Sequence, residues 1–266
     1  MRIVVIGGTG LIGRELVAVL SDLGHDVVIA ARSHGVDIVS GQGLTEALKG
    51  AQTVIDVSSS GYGRADDMHD FFRASCRTLL AAERAAGVAH HVALSAVGSD
   101  RLGQTGYFRA KLAQETMIAA AALPFTIVRS TPFYEFIYNI VDTGGEGRTI
   151  RLPPVLMQPV AAADVATMLA RSALAPPVNG VVEVGGPDAR RLDRFAEDIL
   201  GANEDPRDLH IDATAPYFGA VIGGEALTVA SPHVAASIRF DDWLRHSLVV
   251  YDDVTGPRVL PRDTGA

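Results

Sequence analysis

Val4-Val5-Ile6-Gly7-Gly8-Thr9-Gly10-Leu11-Ile12-Gly13-Arg14 decides the fold. A β-branched run stops at a glycine cluster, and an apolar-periodic segment with Leu11, Ile12, Leu16, Val19 and Leu20 begins inside it. A buried strand therefore turns sharply into a helix. The glycines satisfy Gly-x-Gly-x-x-Gly through Gly8, Gly10 and Gly13, and Gly-x-x-Gly-x-x-Gly through Gly7, Gly10 and Gly13. Glycine serves three ends at such a turn: the tight bend, close approach of backbone to a pyrophosphate, and helix–strand contact without an intervening Cβ. A helix starting there offers open N–H groups and a positive dipole end to phosphates. Glycine-rich turns by themselves only turn a chain. The strand before, the helix after and the N-terminal position together point to dinucleotide binding, with Gly7, Thr9, Gly10, Leu11, Ile12 and Gly13 as candidate cofactor contacts.

Outward from that loop, residues 26–31 read as the second strand, and Arg32 and Ser33 stand at its end, nineteen and twenty residues past Gly13. An NAD site wants a carboxylate here to accept from the ribose 2′-hydroxyl, whereas arginine suits a 2′-phosphate. NADP(H) is the preferred cofactor, NAD(H) the other option, and a solvated loop arginine the plain alternative. Residues 53–57 form the next buried strand, and Val57, Ser58 and Ser59 close it on the carboxyl edge where open α/β sheets bind ligands. These residues contact the cofactor or form a polar loop; the spacing allows both.

Residues 66–86 form a long helix with Phe72, Cys76 and Leu79 on one face, and Gly87 ends it. On that face Cys76 reads as a small buried hydrophobe rather than a nucleophile. The adjacent His90 and His91 lead into a strand over 91–95. Neighbouring strand residues point to opposite faces and no carboxylate or cysteine stands at ligand spacing, so no metal site is expected.

The bulk properties set wide bounds. A chain of 266 residues, 48% hydrophobic with a mean hydropathy of +0.21, has room for one large α/β domain and a small lobe. The first strand begins at Arg2-Ile3, leaving no space for a signal peptide, and no apolar run reaches membrane-spanning length. A single cysteine excludes an intrachain disulfide and suits the cytoplasm. A formal charge of −8 with no Lys/Arg cluster argues against nucleic acid as a partner.

The candidate chemistry lies between Ser95 and Lys111. Ser95 ends a strand on the ligand edge, and twelve residues later comes Tyr107-Phe108-Arg109-Ala110-Lys111, followed by good helix formers. Tyr107 and Lys111 thus sit about one turn apart on one helical face. A phenol with a pKa of about 10 is a sluggish acid or base at neutral pH. An adjacent ammonium favours the phenolate and would lower that pKa. Tyr107 could then pass a proton to a developing alkoxide while Ser95 hydrogen-bonds the same oxygen.

These residues resemble a family, the short-chain dehydrogenase/reductases in their atypical, NmrA-like branch. The resemblance rests on the glycine loop at 7–13, Ser95, Tyr107 to Lys111, Gln114-Glu115, Thr126-Ile127-Val128-Arg129, Gln158-Pro159-Val160 with Asp164-Val165-Ala166, and Gly185-Gly186-Pro187. It implies a Rossmann fold, a nicotinamide cofactor, Tyr107 as general acid/base, Lys111 on the nicotinamide ribose, and Thr131, Pro132 and Phe133 beside the nicotinamide. Many members carry an asparagine on the long helix before the serine strand. Here none lies between 66 and 90, and Asn139, Asn179 and Asn203 are the only asparagines. Several NmrA-like proteins lack the tyrosine and act as NADP-responsive regulators; Tyr107 is retained in this chain.

After a strand over 124–129, Phe133, Tyr134, Phe136 and Tyr138 form an aromatic cluster. It suits a pocket for a flat or apolar substrate and equally suits core packing. Glu135 within it is a candidate acid, with a solvated side chain the preferred reading. The glycine-rich turn at 144–147 divides residues 1–150, the NAD(P)-binding domain, from residues 151–266, a smaller lobe interleaved with the main sheet. Residues 157–160 and 180–184 read as strands and 192–200 as an amphipathic helix with its four charges outward. Tyr217-Phe218-Gly219 and Phe240 to Leu244 are packing elements that cover the substrate mouth or a subunit contact. His210, His233 and His246 have no evident partners, and 255–266 is turn-rich.

The expected fold is therefore a doubly wound parallel sheet of Rossmann type with a small C-terminal α/β lobe. The expected activity is NADPH-dependent reduction of a carbonyl, quinone or similar small acceptor by a monomer or homodimer. An NADP(H)-sensing regulator without catalysis, or an epimerase or dehydratase with the same site, are the alternatives.

Overall fold

The structure, a computed structural model, describes residues 1–252 apart from 62, 104, 105, 219, 220 and 231–233. Gly219, His233 and the turn-rich stretch 255–266 lie outside the described residues.

The chain runs β1 (Arg2–Ile6), α1 (Leu11–Asp22), β2 (Asp26–Ala30), a 3-10 turn (Arg32–His34), α2 (Leu44–Ala47), β3 (Thr53–Asp56) and α3 (Ala65–Ala86). It continues through β4 (His90–Ala96), α4 (Gly106–Ala119), β5 (Phe125–Ser130), α5 (Tyr134–Thr143), β6 (Gly145–Glu146), β7 (Thr149–Leu152) and β8 (Leu156–Met157). Then follow α6 (Ala162–Leu174), β9 (Gly180–Gly185), β10 (Arg190–Arg191), α7 (Leu192–Ala202), β11 (Asp208–Ile211), β12 (Val234–Ala235) and α8 (Phe240–Asp252).

Seven strands form one parallel sheet in the order β12-β9-β5-β4-β3-β1-β2. β1 explains why. Ile3 and Val5 point to one face, against α1 and α6, while Val4 and Ile6 point to the other, among residues of α2 and α3. Because helices cover both faces, the strand reads as an unbroken apolar run rather than an alternating one. The order reverses between β1, which leads outward to β2, and β3, which leads the other way to β4 and β5. Such a switch point opens a crevice at the carboxyl ends of the strands. Gly7, Val57, Ser95 and Thr131 all lie at those ends.

A second, smaller core gathers α5, β7, α7 and α8 around Tyr134, Ile137, Ile150, Phe195 and Phe240. The spatial division does not fall at residue 150. α5 and β6 precede that point and sit with the lobe, whereas α6, β9 and β12 follow it and complete the main sheet. The expected strand over 157–160 is short, because Pro159 has no N–H to give a ladder. Only Leu156–Met157 pairs, with β10, and Val160 makes an isolated bridge to Phe133. In α7 three of the four charges are exposed, but Asp193 is fully buried. It occupies the helix's first turn, where the dipole favours an anion, and accepts from Arg191 Nε at 2.8 Å. Among the described residues, no helix is long and apolar enough to cross a membrane.

Candidate active site

The turn after β1 is built by its glycines. Gly7 takes a φ of +80°, and a Cβ there would lie 3.1 Å from the Ser58 backbone. A Cβ on Gly13 would stand 2.2 Å from the Gly7 carbonyl oxygen, so only glycine lets α1 start this close to the loop. Gly10 N donates to Gly7 O at 3.0 Å and closes the bend. No side chain caps the N-terminus of α1, which leaves its first N–H groups and dipole for an anion.

A cleft of about 1910 Å³ runs over this loop. One end is Arg32 and Ser33. It then passes Gly7, Thr9, Gly10, Leu11, Ile12 and Gly13, and the strand-end residues Val57, Ser58 and Ser59. Ser95, Tyr107 and Lys111 border it next, with Thr131, Pro132 and Phe133 alongside. The sequence therefore named residues that the fold brings to one surface. Ser58 Oγ and Thr131 Oγ1 are buried on that wall with no hydrogen-bond partner among the described residues. Buried hydroxyls are normally partnered, so two orphans on one wall, with the glycine cradle, fit a polar ligand of dinucleotide shape.

The far end of the cleft was mostly invisible in the sequence. Phe136, Tyr138, Asn139 and Asp142 of α5 meet Asn203, Arg207, Tyr217 and Phe218 there. Phe136 and Phe218 lie with ring centroids 5.2 Å apart. The aromatic cluster is split between the two roles open to it. Tyr134 is not a pocket residue: it is fully buried in the lobe's core, with its ring 5.3 Å from Phe240 and its hydroxyl donating to Ile238 O. The helical turn of α5 sends 134, 137 and 140 inward and 136 and 139 toward the cleft. Nor is Glu135 merely solvated; it accepts from Trp243 Nε1 and from Ala162 N at the start of α6, and burial pushes its carboxyl up.

Tyr107 and Lys111 stand one turn apart on α4, and both touch Phe72 of α3. The Lys111 ammonium lies 4.4 Å from that ring's centroid, and the Tyr107 ring meets it edge-on at 6.1 Å. The electrostatics correct the expectation. Burial pushes the Tyr107 phenol up to about 12. Burial likewise pulls the Lys111 ammonium down to about 8, although Asp56 and Glu115 favour its charged form. Desolvation, which spacing along the helix does not report, sets the direction of both shifts. Tyr107 is therefore a neutral phenol at pH 7, with a proton to give. Tyr217 is close enough to interact with it electrostatically, and burial raises its phenol too.

Ser95 requires a second correction. Its hydroxyl donates to Glu115 Oε1 at 2.5 Å. Glu115 in turn grips Arg129 through Nε at 3.0 Å and Nη2 at 2.7 Å. With its proton spent on Glu115, Ser95 offers the cleft lone pairs and no donor. Ser95→Ala is accordingly expected to cost less than about 10-fold in turnover, far below the effect of losing a general acid; a 10²-fold loss in steady-state assays would restore Ser95 as an oxygen-orienting donor.

The remaining polar candidates have structural partners. His90 pairs with Thr126 and His91 with Glu83. Cys76 is buried, its thiol pushed up to about 12 by burial, which makes it unreactive.

Comparison with known proteins adds the following. The sequence matches the NAD(P)H-binding family over residues 7–176. It is 26% identical over 149 residues to the photosystem II assembly factor Ycf39 of Trieres chinensis, covering 51% of this chain and 47% of that protein. The chain thus spans about half the length of the curated relatives it matches. Among solved structures, MoeE5 in complex with UDP-glucose and NAD is similar with a TM-score of 0.74 at 18% identity, over 95% of this chain and 99% of that one. UDP-N-acetylglucosamine 4-epimerase from Bacillus cereus gives 0.72 at 17% identity, over 97% and 99%. At such identities the likeness is one of fold.

Proposed function

Because the chain belongs to the NAD(P)H-binding family, we propose that it is an NADPH-dependent reductase of a small, uncharged carbonyl, quinone or similar acceptor. The observation that carries this reading is the convergence of Tyr107 and Lys111 on the cleft that holds the glycine loop.

The glycine loop and the uncapped start of α1 would hold the diphosphate, Arg32 and Ser33 the 2′-phosphate, and Lys111 the nicotinamide ribose. Thr131, Pro132 and Phe133 would border the nicotinamide. When bound, the cofactor supplies a hydride to the acceptor carbon. Tyr107 holds the matching proton on its hydroxyl and releases it to the acceptor oxygen as negative charge develops there. A phenol near 12 is protonated at neutral pH, and that is the form reduction requires. Phe136 and Phe218 offer flat faces to an apolar acceptor body. At the far end the Arg207 guanidinium is shared by Asp142 at 2.9 Å and Asp205 at 2.6 Å. Its charge is already neutralised, which favours an uncharged acceptor over an anionic one.

Loss of NADPH absorbance with a panel of quinones, ketones and aldehydes tests the reading. Turnover supports it. Firm NADPH binding with no turnover on any acceptor would overturn it in favour of a cofactor-responsive regulator, the reading favoured by the match to an assembly factor. For cofactor choice, Arg32→Ala should raise the Kd for NADPH by roughly 10- to 100-fold, the worth of a charge-assisted contact, and leave that for NADH nearly unchanged. Equal effects on both cofactors in fluorescence titrations would remove Arg32 from the 2′-phosphate site.

A further inference from the structure

We propose that Gln114 and Asp56 are positioning residues for Lys111, an amide and a carboxylate in series that hold its ammonium in place and protonated at the cleft. This rests on the reading of Lys111 as a cofactor contact.

Lys111, Gln114 and Asp56 are each 2% exposed, and Phe72 beneath the ammonium is 0% exposed. Gln114 Oε1 accepts from Lys111 Nζ. Gln114 Nε2 donates to Asp56 Oδ2 at 3.0 Å, and Asp56 Oδ1 accepts from Ser58 N at 2.9 Å. The chemistry allows one orientation of the amide. An ammonium only donates and an ionised carboxylate only accepts, so the carbonyl must face Lys111 and the NH₂ must face Asp56. Neither Gln114 nor Asp56 borders the cleft, whereas Lys111 and Ser58 both do. The series therefore joins α4 to the end of β3 and sets both the lysine and the serine loop from behind the cleft wall.

The surrounding charges single out Asp56. The groups facing Lys111 are Asp56 from β3, Glu115 from α4 and the Cys76 thiol from α3, with Tyr107 on its own helix. Glu115 is matched by Arg129, and the Cys76 thiol is neutral at ordinary pH. Asp56 also faces the Glu83–His91 pair, which is internally matched at 2.9 Å. Asp56 is thus the carboxylate left to balance the lysine, at one amide's remove. A buried cation with no such balance sheds its proton. The Phe72 face adds a cation–π contact that orients the head without supplying a full counter-charge.

The test is NADPH binding as a function of pH, read by fluorescence from about pH 6 to about pH 10, with a melting curve at each point. Burial leaves the Lys111 ammonium at about 8, so its charge is lost within that range and wild-type affinity should fall as pH rises through it. Gln114→Leu and Asp56→Asn should move this alkaline limb down by about one pH unit or more, because each weakens support for the charged form. Gln114→Glu should move it up, since it sets a carboxylate directly against the ammonium. Opposite displacements by two variants at one position are not what a packing role produces. Limbs coinciding with wild type in all three, whatever their melting temperatures, would overturn the proposal. Wild type that fails to bind NADPH at any pH would overturn the cofactor reading as well. The two isosteric variants, Asp56→Asn and Gln114→Glu, keep the test decisive if Gln114→Leu does not fold.

Discussion

Tyr107→Phe is expected to lower kcat for NADPH-dependent reduction by about 10²-fold or more, the usual contribution of a positioned general acid, with NADPH affinity almost unchanged. The substitution removes one oxygen and keeps the ring, so the edge contacts with Phe72 and Phe108 survive. In the proposed function the cofactor is held by the glycine loop, Arg32 and Lys111, and the phenol is left for the acceptor. The loss should therefore appear in kcat and in kcat/KM alike, the signature of an interaction made in the transition state. Measuring kcat together with the NADPH Kd checks this. Retention of wild-type turnover within a few-fold would remove Tyr107 as the acid, and attention would pass to Tyr217, a second phenol that lines the cleft and interacts with it electrostatically.

Arg129→Leu should destabilise the fold by roughly 3–5 kcal/mol, the cost of leaving a buried ion pair with one member. Arg129 is the shared cation for Glu115 at 2.7 Å, Asp100 at 3.1 Å and Glu183 at 3.9 Å. Asp100 is half exposed and can turn to water, and Glu183 keeps a hydrogen bond from Ala230 N. Glu115 is buried and would keep only the Ser95 hydroxyl. Glu115→Leu with Arg129→Leu should recover much of the loss, because removing both charges leaves nothing unpaired. Urea unfolding of wild type, the single and the double variant tests this; a single variant within about 1 kcal/mol of wild type would mean the pair contributes no more than a surface bridge.

Much of the site was legible because its signals are local. The glycine spacing, the arginine at the end of the second strand, the strand ends that line one edge and the one-turn separation of Tyr107 and Lys111 all follow from periodicity and backbone sterics. The C-terminal half was less legible. Asn139, Asp142, Asn203 and Arg207 come from separate segments, and nothing in their immediate neighbours marks them as one wall. Tyr217 and Phe218 were visible as an aromatic pair, without a partner. Phe218 finds that partner in Phe136, more than eighty residues away in the chain.

By itself the sequence determined the strand–glycine–helix start, the doubly wound sheet and which candidate residues line one cleft. Each of these depends on which backbone conformations and side-chain periods a short segment can adopt. Only the tertiary structure decided that Ser95 gives its proton to Glu115, that Tyr134 turns into the core, that Asp193 is buried, and that the Tyr107 phenol is raised rather than lowered. Those outcomes are sums of desolvation and partner contacts from distant elements, and spacing along the chain carries no term for how deeply a group is buried once the sheet and helices have closed around it.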